Sequence, residues 1–483
     1  MIERRNNKSE SILLVKSNQY QLTTTINYVT EDLSCSEDIT NQYYTRDTTS
    51  FNDYEAGGNN VTLPIFFGEC RTIQIPKGIK RRIKRLPKSI LRKIDTETEI
   101  AIEKCYILIS ALTYTVFKDD DYWKGLSSTL MHNQFKKGTD NSYIYKNIIR
   151  ALSYSTNATS PIIECKKNHL NKDSYQENNY SKQYRLHLRS RNQTLDKYDI
   201  QFEANIKKRK ENHLKEFGKA NSNVIGNNLI TVYPLITLPN TDEILRYGKK
   251  LVKEKHRTKK GKLLTFLNKK AKSYYTYPKQ RSFVEENLKQ YNYLVGVNYI
   301  IPKVGDYKSG GRVVDSFNLM PSWIRSLVKI DNEKLVELDF KALHPNIAMN
   351  LYGGTEYQIT HQKIAKALKT PLKEVKIEHL SFFNKRVCDL KKSPLYQYYL
   401  GREKLMLENL INDKHTNGYK ITSQKLFKKE VEIMTSIIQE LNCIGIYVIY
   451  VYDALYCKTS DKIIVTEIMN RTIIKHGVNT RIG

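Results

Sequence analysis

The sequence predicts an α+β chain, and three observations predict it. Helical periodicity is clear over Ile94–Phe117 and about Ser423–Leu441, where apolar residues recur every three or four positions. Short β-branched and aromatic runs mark strands at Leu63–Ile75, Leu335–Leu338 and Ile446–Val451. Asp453 then falls at the tip of a hairpin whose second arm is Leu455–Cys457, which makes that pair antiparallel.

The chain has 483 residues and a formal charge of +29, from 79 Lys and Arg against 50 Asp and Glu. That length suits two to four units, at ~100–200 residues each. The apolar share of 40% is low for an enzyme but well above that of a disordered chain. No unbroken run of 18 apolar residues is present, so no membrane span is expected, and the polar Met1–Asn18 has no signal-peptide core. The seven scattered cysteines argue against a zinc ribbon or a disulfide scaffold, and fit an intracellular, cytoplasmic setting.

So basic a chain points to a polyanion partner, because neutralising phosphates releases condensed counterions. The charge is clustered: twelve Lys or Arg against one acid, Glu254, lie between Arg246 and Lys272, and a second cluster spans Lys77–Lys93. Two such runs favour nucleic acid over a merely solvated face. The 34 tyrosines offer rings for base stacking, although half-buried packing is the commoner use of such residues.

Four regions follow along the chain. Residues 1–60, rich in Asn, Thr and Ser, read as a flexible polar arm. Residues 61–230 read as an accessory nucleic-acid-binding region. Its Asp95-Thr96-Glu97 superficially matches an exonuclease carboxylate motif, but acids at a helix N-terminus explain it better. Residues 231–290 read as a basic helical region, with Asn240–Leu288 helical and Lys259, Lys260 and Lys262 gripping nucleic-acid backbone. Residues 291–483 carry the chemistry.

There, Asp339 ends the strand Leu335–Leu338; Pro345 opens a helix that stops at Gly353-Gly354. An aspartate at such a junction can ligate a metal, or simply cap the helix. Asp453, 114 residues on, ends a second apolar strand, although Asp also suits turns. Were the strands adjacent, the two carboxylates could share divalent cations. Between them, Thr370-Pro371 opens a helix through Val375, Phe383 and Val387, with Lys376, Leu380 and Asn384 on one stripe. A lone helical lysine is usually solvated, but beside a carboxylate pair it can neutralise a triphosphate.

These residues resemble the family A DNA polymerases and the phage-type single-subunit polymerases, over roughly residues 300–475. Gly311-Arg312, Asn318-Leu319, Pro321 and Arg325 match the block before motif A. Asp339 matches the motif A metal aspartate, and Asp453 in YVYDALY that of motif C. DFKALH is similar to divergent polymerases of phages and plasmids, in which a Val-Lys and an Asn eight residues later form motif B. Val375-Lys376 and Asn384 fit that spacing, with Lys385 as the alternative lysine. Three features depart from the pattern. Tyr452 stands in place of the usual motif C histidine, Asn384 where many relatives carry Tyr, and the span between the aspartates is short.

The resemblance implies a right-hand polymerase with an antiparallel palm sheet, reduced helical fingers at 355–435 and a basic helical thumb before residue 290. It implies two Mg²⁺ ions (Mn²⁺ as a substitute) on Asp339 and Asp453, with primer–template DNA and nucleoside triphosphates as partners. Arg312, Arg325, His344, Asn384 and Lys385 would contact substrate. His344, five residues after Asp339, would stand against the ribose 2′ position, and its bulk favours deoxynucleotides. A single-subunit RNA polymerase or primase is the alternative enzyme, and a non-catalytic nucleic-acid-binding replication protein the alternative of another class.

Overall fold

The computed structural model describes residues 71–118, 123–136, 143–157, 159–174, 181–191, 194–258, 261–267, 280–296 and 302–483. The expected N-terminal arm lies outside these residues, as do Lys259 and Lys260.

Two hydrophobic cores organise the described chain. The first draws on residues between Ile73 and Ile206. Strand β1 (Thr72–Pro76) ends the apolar run read from Leu63–Ile75. The strands β2 (Lys124–Gly125), β3 (Ile163–Cys165) and β4 (Gln183–Leu186) form a small sheet of order β2-β4-β3, and β5 (Leu195–Asp199) pairs antiparallel with β1. At the centre lies α1 (Thr98–Leu112), with Ala101, Cys105, Leu108 and Leu112 fully buried. The stretch Thr98–Phe117 is long and apolar enough, by length and composition, to cross a bilayer, and 72% of its most apolar window is buried inside the protein. Glu103 and Lys104 interrupt the run without lowering its mean hydropathy enough to matter.

Both charges are satisfied inside the protein. The Glu103 carboxylate, fully buried, accepts hydrogen bonds from Tyr198 Oη (3.0 Å), Gln201 N (2.6 Å), Phe202 N (3.2 Å) and Asn205 Nδ2 (2.7 Å). Lys104 pairs with buried Asp95 at 2.8 Å. A buried charge survives only when bonded this fully. Asp95 is thereby occupied with Lys104 and with the Glu97 amide.

The second core belongs to the C-terminal half. Helices α2 (Glu203–Asn221) and α3 (Val224–Val232) lead into it. Strand β6 (Ile236–Thr237) follows, then α4 (Thr241–Lys253), β7 (Leu263–Thr265), β8 (Arg281–Phe283) and α5 (Val284–Gly296). The continuous helix expected over Asn240–Leu288 is therefore interrupted. Helix α4 ends at Lys253, Lys255 (φ 55°) and Gly261 (φ 77°) turn the chain, and β7 pairs parallel with β8. The basic run is thus part helix and part turn and strand.

Strands β9 (Lys303–Val304) and β10 (Val313–Val314) form a small antiparallel ladder, and the connection between them carries Gly310 and Arg312. Strands β11 (Lys329–Ile330), β12 (Glu333–Asp339), β13 (Ile449–Val451) and β14 (Ala454–Lys458) join β6 in a sheet of order β13-β14-β12-β11-β6. Every pairing in it is antiparallel.

Between β12 and β13 the described elements are all helical. They are α6 (Leu343–Tyr352), α7 (His361–Leu368), α8 (Leu372–Phe382), α9 (Pro394–Arg402), α10 (Lys404–Asn417) and α11 (Ile421–Cys443), with a short turn of helix at Val387–Leu390. Helix α8 stops short of the expected Val387, because Asn384 and Lys385 form a closing turn on Ser381 and Phe382. Helix α12 (Lys462–Lys475) packs against α11 and follows the sheet. The α3 side chain of Asn228 bonds both the amide and the carbonyl of Val448, which secures the entry to β13.

Candidate active site

Strand pairing brings the two motif aspartates together. In the β12–β14 register Asp339 stands opposite Ala454, and the Phe340 amide donates to the Asp453 carbonyl at 3.3 Å. Tyr452 and Asp453 form the two-residue loop between β13 and β14. Tyr452 holds φ at 58°, the left-handed region in which a side chain costs roughly 1–2 kcal/mol. That strained backbone presents Asp453 at the mouth of the hairpin beside Asp339.

Asp453 is buried among like charges. Burial, then the nearby Glu430 and Asp339 charges, push the Asp453 carboxyl well above its ordinary value. Lys341 Nζ lies 3.6 Å from Asp339 Oδ2 but is half exposed. Clustered like charges of this kind favour a bound cation. Among the described residues no three or more His, Cys, Asp or Glu side chains converge into a closed metal cage. Two carboxylates completed by substrate phosphates and water are nonetheless the donor set that Mg²⁺ takes, so Asp339 and Asp453 fit that ion.

Behind the hairpin lies a charged trio. Gly310 (φ 69°) sits so close to α11 that an added Cβ would meet the Phe427 and Lys428 backbone at 2.5 Å. This approach swings Arg312 onto α11, its guanidinium 3.8 Å from the Phe427 ring centroid and 5.0 Å from that of Tyr452. Arg312 Nε and Nη2 donate to Glu430 Oε1 and Oε2 at 2.7 and 2.5 Å. His344, in the first turn of α6, places Nε2 2.7 Å from Glu430 Oε2, so that nitrogen carries the proton it donates. Complete burial works to raise the Glu430 carboxyl, but the bonds from His344 and Arg312 outweigh it and hold the group below its ordinary value. Glu430 is thus a fully buried carboxylate bonded through both oxygens, while its partners Arg312 and His344 stay partly exposed.

The named residues therefore divide. Asp339, Asp453, Arg312 and His344 lie in one neighbourhood: Glu430 bonds Arg312 and His344, and the charges of Glu430, Asp339 and His344 all bear on Asp453. Arg325 is buried over Phe317 and Tyr456, 5.7 and 5.5 Å from their ring centroids, with Nε and Nη1 meeting no partner among the described residues. Tyr456 stands opposite Glu337, two residues before Asp339.

Lys376 is exposed on α8, where its charge bears on His361, and Asn384 is exposed in the turn that follows. Among the described residues no hydrogen bond or ion pair joins either to the hairpin. Lys385 pairs with Glu378, which also bonds Ser393. Lys262 is half-buried in the turn before β7.

Glu430 went unread in the sequence, although a signal exists. It stands on the α11 stripe of Leu426, Ile433, Met434, Ile437 and Leu441, all buried, where the helical period calls for an apolar residue.

No protein-family model matches the chain, and no curated protein matches it. Among solved structures it is similar to the POL domain of Pol1 from M. smegmatis, determined in complex with DNA primer-template and dNTP. The two share 8% identity at a TM-score of 0.37, over 58% of this chain and 72% of that one. A likeness of this degree leaves function to be argued from the geometry of the site.

Proposed function

We propose that this chain is a template-dependent nucleotidyltransferase, a DNA-directed DNA polymerase of family A type from a phage, plasmid or other mobile element. The observation that carries the reading is the placement of Asp339 and Asp453 at the mouth of one antiparallel strand pair, backed by the Arg312–Glu430–His344 cluster. Asp339 and Asp453 would hold Mg²⁺, which in nucleotidyl transfer activates the attacking primer hydroxyl and neutralises the leaving pyrophosphate.

The chain's own groups supply orientation. Glu430 fixes the Arg312 guanidinium, a cation that stays charged and leaves Nη1 available toward a backbone phosphate or base edge. The same carboxylate holds His344, whose imidazole would stand against the sugar and favour a deoxyribose. Lys376, solvent-facing on the helical insert, would meet the triphosphate, with Lys385 the alternative. Lys259, Lys260 and Lys262 would supply backbone affinity without reading sequence.

Primer extension with Mg²⁺, offering dNTPs and NTPs separately on DNA and RNA templates, tests the reading. The expected result is dNTP incorporation on a DNA template that Asp453→Asn abolishes. Preferential NTP incorporation would assign an RNA polymerase or primase instead. Tight primer–template binding without incorporation of either would leave a non-catalytic replication protein.

A further inference from the structure

The second basic cluster of the sequence has no part in the site above, and the fold gives it a definite setting. Helix Ile79–Lys84 buries Ile79 and Ile83 against the first core. Helical spacing then places Lys80 and Lys84, and Arg81 and Arg85, on the opposite face. Among the described residues no carboxylate lies within ion-pair distance of Arg81, Lys84 or Arg85, and all three are exposed. These cations rim a cleft of about 510 Å³ between that helix, α1 and the segment leading into α2.

The cleft wall is aromatic. Tyr106 from α1 and Tyr198 from β5 meet edge to face at 4.9 Å, and Phe202 lines the same cavity. Tyr198 is pinned by its bond to Glu103, and Lys80 lies 5.2 Å from the Tyr198 ring centroid. Tyr106 is 3% exposed, and its buried hydroxyl meets no partner among the described residues. A buried hydroxyl left without a bond carries a desolvation penalty that a ligand's polar edge can remove. The one acid on the lining, Glu99, is exposed at its edge and can accept from a base amine or a sugar hydroxyl.

We propose that this cleft binds single-stranded nucleic acid, seating one unstacked base against Tyr198, Phe202 and the Tyr106 hydroxyl while Arg81, Lys84 and Arg85 take the flanking phosphates. Each part answers a different part of a nucleotide. The rings match the π-face that every base presents, the orphan hydroxyl its hydrogen-bonding edge, and the cationic rim its backbone. A base in a duplex is stacked and paired, so only an unpaired strand can deliver one into a cleft of this kind. The site is separate from the aspartate hairpin and does not depend on catalysis there.

Fluorescence anisotropy with a labelled single-stranded 12-mer tests it, using the full chain without Mg²⁺ or nucleotides across several salt concentrations. Arg81→Glu with Lys84→Glu should weaken binding at least tenfold. It should also flatten the salt dependence by about 1.4 in log–log slope, at ~0.7 per single-strand phosphate contact. Tyr106→Phe should weaken binding roughly three- to tenfold, the worth of one net hydrogen bond, with an unchanged salt slope and an unchanged or raised Tm.

Wild-type affinity and slope in the charge-reversed variant would overturn the proposal, as would wild-type binding by Tyr106→Phe. Equal affinity for a mononucleotide such as dAMP would overturn the single-strand assignment in favour of a free nucleotide. Extension of a pre-annealed primer–template by the charge-reversed variant reads the hairpin site separately. The binding result and the polymerase reading can therefore fail independently.

Discussion

The Glu430 carboxylate, with no exposure to solvent, bonds Arg312 from the β10 approach and His344 from α6 at the same time, the latter at 2.7 Å. One acid on α11 thus fixes two groups that lie 118 and 86 residues away in the chain. Removing a partner from such a cluster strands the remaining charges. Glu430→Ala should therefore cost about 3–5 kcal/mol of stability, measured by urea denaturation. Glu430→Gln, which keeps the shape, should cost less and still impair incorporation, because its amide cannot accept from both partners through two oxygens.

Asp453 should behave in the opposite sense. Burial and the charges of Glu430 and Asp339 all disfavour its carboxylate, so Asp453→Asn should leave Tm unchanged or raised in EDTA. Added Mg²⁺ should stabilise the wild type by about 2.7 kcal/mol at a hundredfold excess over Kd. It should stabilise Asp453→Asn and Asp339→Asn much less. Equal Mg²⁺ stabilisation of all three proteins would remove the aspartates from the metal site.

Gly310 sets the Arg312 approach. Gly310→Ala adds a Cβ 2.5 Å from the α11 backbone at a φ of 69°, so both sterics and conformation oppose it. The expected loss is at least ~2 kcal/mol, together with weaker primer–template binding. Gly401, with open space around it, is the control: Gly401→Ala should lose neither.

Two lysines of the helical insert should separate cleanly. Lys385 is committed to Glu378, so Lys385→Ala should lower Tm by a few degrees. Lys376 is exposed, so Lys376→Ala should leave Tm unchanged and slow incorporation more than it weakens template binding. Slower incorporation in Lys385→Ala alone would transfer the triphosphate role to Lys385.

The insert should also be acid-sensitive. His379 is buried against Tyr399, whose hydroxyl lies 2.9 Å from Nε2, while Nδ1 lies 3.1 Å from the Val375 carbonyl. Burial, and then His361, lower its pKa from 6.5 to about 3. Below pH 6.5 the unfolded chain binds a proton that the folded chain refuses until about pH 3. Stability therefore falls as pH drops through that window, by up to ~1.4 kcal/mol per unit. Denaturation at pH 7 and pH 5 should show this loss, and His379→Gln should reduce it.

Much of the five-stranded antiparallel sheet was legible in the sequence because its signals are local. Asp339 and Asp453 each end an apolar strand, Pro345 and Gly353 bracket α6, and the α11 stripe is periodic, so strand, turn and helix preferences within a few residues located all of them. The break in Asn240–Leu288 was not legible, because helix-compatible residues there are drawn into a β7–β8 pairing that only tertiary contact stabilises. Adjacency of the two aspartates, the Glu430 cluster, the close pass of Gly310 over α11 and the solvent-facing position of Lys376 were decided by the folded chain alone. Ion pairs, hydrogen bonds and backbone approaches across a hundred residues leave no periodicity behind, since their energy appears only after distant segments have packed.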